Sequence, residues 1–158
     1  SDCGTPIPVV VGDARLMLRQ QTQISDIVLV DAFSSDAIPV HLLTVEAIDL
    51  YLSKLAEQGR IVFHISNQYL FLGEVLARAA ASRGLEGLMK LERGASDHDS
   101  YRTSSSVAVL ARSGRDLDSL RLTKGWEPLP KPKRPSPWTD DYSTILEPLI
   151  DMWHRQRG

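Results

Sequence analysis

Residues 26–44, DIVLVDAFSSDAIPVHLLT, end a β-branched run on a carboxylate and continue into a crossing crowded with ionisable groups. Asp31 closes the apolar run; Asp36, Pro39 and His41 follow before an apolar helix pattern begins. Surface turns are usually built from Gly, Asn and Pro, so this composition needs another reason. A carboxylate within hydrogen-bond reach of an ammonium group can take its proton, and a second one can hold the cation by charge. Two other strand-like runs end in the same way. PVVVGD reaches Asp13, and RIVFHISN reaches Ser66 and Asn67. Any one of these residues is read most simply as a helix cap. Three polar strand ends together with SSDAIPVH read as a site, because open α/β sheets bind ligands outside the carboxyl ends of their strands.

Other chemistry fits the residues less well. His41, His64, His98, Asp36, Asp97 and Asp99 could be gathered for a metal, but they show no tight ligand spacing and no thiolate pair, so no metal is expected. Neither Ser34 nor Ser35 lies in a G-x-S-x-G elbow, which argues against a Ser–His–Asp hydrolase. His64, inside VFHIS, reads as a satisfied histidine of the core or sheet face.

Strands alternating with helices must position these groups. The 158 residues, 42% hydrophobic, make about one domain. A net charge of −2 implies no general attraction to nucleic acid, and KPKR (131–134) between prolines reads as a solvated link. Cys3 is the sole cysteine, so a reducing, cytoplasmic setting is expected. No apolar run reaches the roughly 18–20 residues that span a bilayer. DIVLV predicts a strand buried on both faces. Thr44 predicts an N-cap for VEAIDLYLSKLAEQ, with Ile48, Tyr51, Leu52 and Leu55 on one face and Gly59 as the stop. RIVFHIS predicts a second buried strand. In YLFLGEVLARAAASR, Leu72, Val75, Leu76, Ala79 and Ala80 share a face that ends at Gly84. GLMKLER and SSVAVLAR predict two later strands, followed by a proline-rich link at about 126–137. This alternation predicts an α/β fold with a mostly parallel sheet.

The stretches VVVGDARLML, DIVLVDAFSSDAIPVHLLTVEAIDLYLSKLAEQGRIVFHISN and WTDDYSTIL together resemble the spermidine-synthase-like branch of the methyltransferase-fold superfamily. The match runs from about Val9 to Leu146, and its specific parts are Asp31–Thr44 and WTDDYS. The resemblance implies transfer of an aminopropyl group from decarboxylated S-adenosylmethionine, a co-substrate rather than a tightly bound cofactor, to a diamine such as putrescine. Asp31 matches the acid ending the fourth strand and would be the proton acceptor. Asp36 would hold the cationic amine, and Asp141 and Tyr142 would close over it. Asp13, with Ala14 beside it, matches the position that meets the adenine. Members of this branch often form the soluble part of larger proteins, some with membrane-embedded portions. A methyltransferase for another substrate, or a polyamine-binding or interaction module without catalysis, are the alternative functions.

Within that resemblance the chain corresponds to the C-terminal two-thirds of a class I methyltransferase-type, Rossmann-like domain. It is expected to lack the first two strands, and to be inactive by itself, because no G-x-G occurs and no acid ends a second strand. The D-x-x-D-P-x-G-P turn of spermidine synthases is replaced by DAFSSDAIPVH, two residues longer between the acids. In the implied strand order, 3-2-1-4-5-7-6, PVVV is the third strand, strands four to six run parallel and the C-terminal seventh is antiparallel. DIVLV would then lack a neighbour, and a homodimer through its free edge is expected, since unpaired buried N–H and C=O groups cost about 1–3 kcal/mol each.

Overall fold

The computed structural model describes residues 8–31, 39–66, 71–92, 105–146, 148–150 and 153. Helix α1 (Ala14–Gln20) precedes strand β1 (Ser25–Val30). A 3-10 turn at Val40–Leu42 then leads into α2 (Val45–Ser53). Strand β2 (Leu55–His64), helix α3 (Leu72–Ser82), and strands β3 (Glu86–Glu92) and β4 (Ser105–Ala111) follow. A second 3-10 turn and the short helix α4 (Asp118–Arg121) lead to the three-residue strand β5 (Trp126–Pro128).

The five strands lie in the order β1-β2-β4-β3-β5. β1 and β2 are parallel, and β4 runs antiparallel to both of its neighbours, β2 and β3. Strands β1, β2 and β3 therefore share one direction, with the antiparallel C-terminal strand inserted among them. That is the 4-5-7-6 portion of a Rossmann-like, methyltransferase-type α/β sheet. By adjacency the sheet is less parallel than expected, since only β1 and β2 are parallel neighbours. β5 adds a further antiparallel edge on β3. It occupies residues that the sequence assigns to the proline-rich link.

The core forms where sequence periodicity meets this sheet. Ile48 and Tyr51 of α2 pack with Val75, Leu76 and Ala79 of α3 over Ile61, Phe63 and Leu110. On the opposite face Leu88, Val109, Ala111 and Leu117 form a second cluster. β4 is thus covered on both sides, which its run of small and β-branched residues suits. Gly84 (φ +63°) ends α3 in the left-handed region. There the Leu85 N–H donates to the Ala80 carbonyl (2.9 Å) and the Gly84 N–H to that of Ala81 (3.3 Å), a paired C-terminal cap.

Three expectations are corrected. First, α2 stops at Ser53, and Leu55–Gly59 belong to β2. Between the pairs Ser25↔Leu55 and Ile27↔Arg60, β1 advances by two residues and β2 by five, so β2 bulges. Gly59 is needed inside this bulge rather than as a helix stop, because a Cβ there would lie 2.9 Å from the Asp26 carbonyl oxygen. Second, residues 8–11 form no strand, and Val9 and Val11 are 84% and 91% exposed. Third, β1, at the sheet edge as expected, is not buried on both faces: only Val30 is buried, and Ile27 and Leu29 are exposed. Nothing covers its outer side among the described residues, because residues 8–11 do not pair with it and α1 buries no residue.

The link around KPKR is solvated, as expected, yet its backbone is anchored. Glu74 and Arg78 are both buried on α3, one turn apart. The Lys133 N–H donates to Glu74 Oε1 at 2.6 Å, and Arg78 Nη1 donates to the Ser136 carbonyl at 3.3 Å. These bonds lay the link along α3 and deliver Trp138 into the core.

The unequal covering of the sheet has a measurable consequence. Phe63→Ala should lower unfolding stability by about 3–5 kcal/mol. Leu29→Ala, on the open side of β1, should change it by no more than about 0.5 kcal/mol. Urea unfolding of the two variants checks this, and a Leu29→Ala cost close to that of Phe63→Ala would mean that the outer side of β1 is covered.

Candidate active site

The sheet directions bring three chain segments to one edge. β1 and β2 both finish there, and antiparallel β4 begins there. In the parallel register Val30 lies opposite Phe63, so the next positions, Asp31 and His64, are also neighbours. His64 Nδ1 lies 2.7 Å from Asp31 Oδ1. On its other side, His64 Nε2 lies 2.7 Å from Ser66 Oγ, two residues along on the same face. The Ser106 backbone N–H donates to Ser66 Oγ at 2.8 Å. Asp31 Oδ2 has no hydrogen-bond partner among the described residues. The side chains are 60% (Asp31) and 37% (His64) exposed, so the group is open to a ligand from solvent.

A second polar group ties α1, the start of α2 and the C-terminal segment together. Arg15 donates through both terminal nitrogens to the two Asp140 oxygens, each at 2.7 Å. The Thr44 hydroxyl donates to Asp140 Oδ1 at 2.7 Å, and Arg15 Nη1 also reaches the His41 carbonyl at 3.1 Å. The Asp140 N–H donates to Glu46 at 3.0 Å, and the Val45 N–H donates to the Trp138 carbonyl at 2.9 Å. The entry of α2 is therefore capped twice. Thr44 Oγ1 accepts from the Ala47 N–H, as its sequence position predicts, and the tail supplies a carbonyl from Trp138.

The hydrogen bond from Arg15 lowers the Asp140 pKa from 3.8 to about 2; burial opposes it weakly and the Thr44 hydroxyl assists. The same pairing raises Arg15. Tyr51, buried beneath the α2 entry, is pushed up to about 12 by desolvation, and its hydroxyl donates to the Leu42 carbonyl at 3.2 Å.

The anticipated site residues are thus distributed unevenly. Asp31 is at the strand end, as expected, and Ser66 joins it. Asp36, Ser34, Ser35, Asn67, Asp97, His98 and Asp99 lie outside the described residues. Asp13 is the N-cap of α1: its Oδ1 accepts from the Leu16 N–H at 2.9 Å, a bond that lowers its pKa, and Ala14 is the first residue of that helix. Asp141 and Tyr142 are exposed in a turn where Thr139 and Tyr142 exchange backbone hydrogen bonds. In the WTDDYS motif it is Asp140, not Asp141, that makes the strong contacts. His41 is exposed, and its carbonyl rather than its ring joins the Arg15 group. His64 is a satisfied histidine of the sheet face, as one of the two expected placements has it, with both ring nitrogens hydrogen-bonded. It sits opposite Phe63 in the strand alternation and faces Asp31 and Ser66. Among the described residues no group of three His, Cys, Asp or Glu could hold a metal ion. No described helix is long and apolar enough to cross a membrane.

No family model matches the chain. No curated protein matches it either. Among solved structures it is similar to the crystal structure of MnmC2 from Aquifex aeolicus, with a TM-score of 0.43 and 21% identity over 90% of this chain. The chain spans 42% of that protein's length. A likeness of that size assigns neither family nor activity, and the functional reading rests on the strand-end geometry.

The pairing of Arg15 with Asp140 predicts a pH dependence. The folded-state pKa of Asp140 is depressed, so the stability it contributes is fully present above about pH 4 and is lost as pH falls toward about 2. Asp140→Asn should cost about 1 kcal/mol at neutral pH, allowing for solvent screening of a partly exposed carboxylate, and should flatten the acid limb. Thermal unfolding of both proteins from pH 7 to pH 2 checks this; parallel curves would show that Asp140 is uncoupled from folding.

Proposed function

We propose that the chain forms part of an aminopropyltransferase that joins the aminopropyl group of decarboxylated S-adenosylmethionine to a diamine such as putrescine. The observation that carries this reading is a solvent-accessible strand-end carboxylate, Asp31, with one oxygen held by His64 and the other available. An ammonium group docking on Asp31 Oδ2 gives up a proton to it and becomes a neutral amine. The amine lone pair then forms the new C–N bond as the C–S bond breaks, and the bonding pair returns to sulfur as an uncharged thioether.

Asp36 on the crossing, together with Asp141 and Tyr142 in the tail turn, would bind the distal ammonium. Asp13 and Ala14 would meet the nucleoside in the intact protein, although the Asp13 carboxylate already caps α1. The open edge of β1, with Ile27 and Leu29 exposed, is offered for a symmetric homodimer. We assign the domain to the cytoplasm, as the soluble part of a protein that can carry a membrane-embedded portion elsewhere. A non-catalytic polyamine-binding module uses the same carboxylate and differs only in taking no nucleoside.

Titration calorimetry with putrescine and with methylthioadenosine separates these readings. In the intact parent protein, binding of both supports the transferase, binding of putrescine alone supports the module, and binding of neither refutes both. In the intact parent protein, Asp31→Asn should reduce aminopropyl transfer by about 10²–10⁴-fold. A loss of less than a few-fold would remove Asp31 from that role.

A further inference from the structure

In the neutral imidazole the hydrogen bonds around His64 have one consistent direction. An ionised carboxylate only accepts, so the proton on the ring lies on Nδ1, which faces Asp31, and Nε2 is left to accept. Its donor is the Ser66 hydroxyl, 2.7 Å away, whose oxygen also accepts from the Ser106 N–H. With Nε2 accepting, the neutral imidazole carries its proton on Nδ1 and donates it to Asp31 Oδ1. The polarity thus runs from an amide of β4, through the Ser66 hydroxyl just past β2 and the His64 ring that ends it, to the carboxylate that follows β1.

We infer that His64 is a positioning residue for Asp31, locked by Ser66 and the Ser106 N–H as its Nδ1–H form, so that Asp31 presents Oδ2 to a primary ammonium group. This rests on the proposed role of Asp31 as acceptor of the amine proton. The arrangement is suited to a cation. His64 occupies one carboxylate oxygen of Asp31 and leaves the other without a partner among the described residues, and the exposure of both side chains leaves a path for the amine. Ser66, its oxygen already accepting from Ser106, serves to orient the ring and is not itself the reacting group.

The order Asp31–His64–Ser66 is also that of a nucleophilic relay, and the test separates the two uses. In the chain labelled with ¹⁵N-histidine, long-range ¹H–¹⁵N correlation at about pH 9, where an ordinary imidazole is neutral, reads the tautomer directly. The wild type should show Nδ1–H at His64, and both Ser66→Ala and Asp31→Ala should move the population toward Nε2–H. Putrescine titration should show about a tenfold or greater loss of affinity for His64→Ala. His64→Asn, whose side-chain amide nitrogen can take the Nδ1 position, should restore much of it. An Nε2–H tautomer in the wild type overturns the assignment, as does covalent labelling of Ser66 by a fluorophosphonate, which would make the hydroxyl the reactive group. If the wild type binds no putrescine while the Nδ1–H form responds to Ser66→Ala as described, the amine reading falls and the hydrogen-bond assignment stands.

Discussion

The guanidinium of Arg15 on the carboxylate of Asp140 is the constraint that joins α1, the entry of α2 and the C-terminal segment. It joins residues 125 positions apart, and it does so where the chain passes from β1 into α2. Thr44, Glu46 and the carbonyls of His41 and Trp138 are drawn into the same group. A bidentate pair of this kind gives direction as well as energy, because the planar fork fits one orientation of the carboxylate. The C-terminal segment is thereby held against the start of α2 while buried Trp138 supplies the apolar side of the attachment. The partners are exposed only in part, which keeps the desolvation cost of the charges moderate.

Sheet topology supplies the other half of the site. If β2 and β4 were parallel, Ser106 would start at the opposite edge from His64. Because β4 is antiparallel, its first residues stand beside the last residues of β2, and a free backbone N–H meets Ser66. Among the described residues β1 has one neighbour, β2. The carboxylate at its end is consequently accessible, and Ile27 and Leu29 are exposed along its outer side.

Much of this was legible in the sequence where a local rule decides the structure. Thr44 announced the start of α2 because a hydroxyl before an apolar helical pattern caps well, and Gly84 announced the end of α3 because only glycine enters the left-handed region freely. The apolar stripe of α3 followed from its period, but the burial of Glu74 and Arg78 beside it did not. Leu55 was misread because it continues the helical spacing of Ile48, Tyr51 and Leu52. Its strand state comes from pairing with Ser25, which no local pattern records. His64 was legible as a satisfied histidine of the core or sheet face, and strand alternation sets it on the face of Ser66 and away from Phe63. Arg15 and Asp140 carry no local signal of their partnership, and the doublet in WTDDYS does not say which acid turns inward.

The central claim is that Asp31 is held by His64 to receive an ammonium group. It is tested most directly by a crystal structure of the chain soaked with putrescine. The account predicts one amine nitrogen within about 3 Å of Asp31 Oδ2, the hydrogen-bond distance for a charged pair, with the His64 contact to Oδ1 retained. Putrescine bound elsewhere, or Asp31 turned away from His64 with both oxygens in bulk solvent, would contradict it.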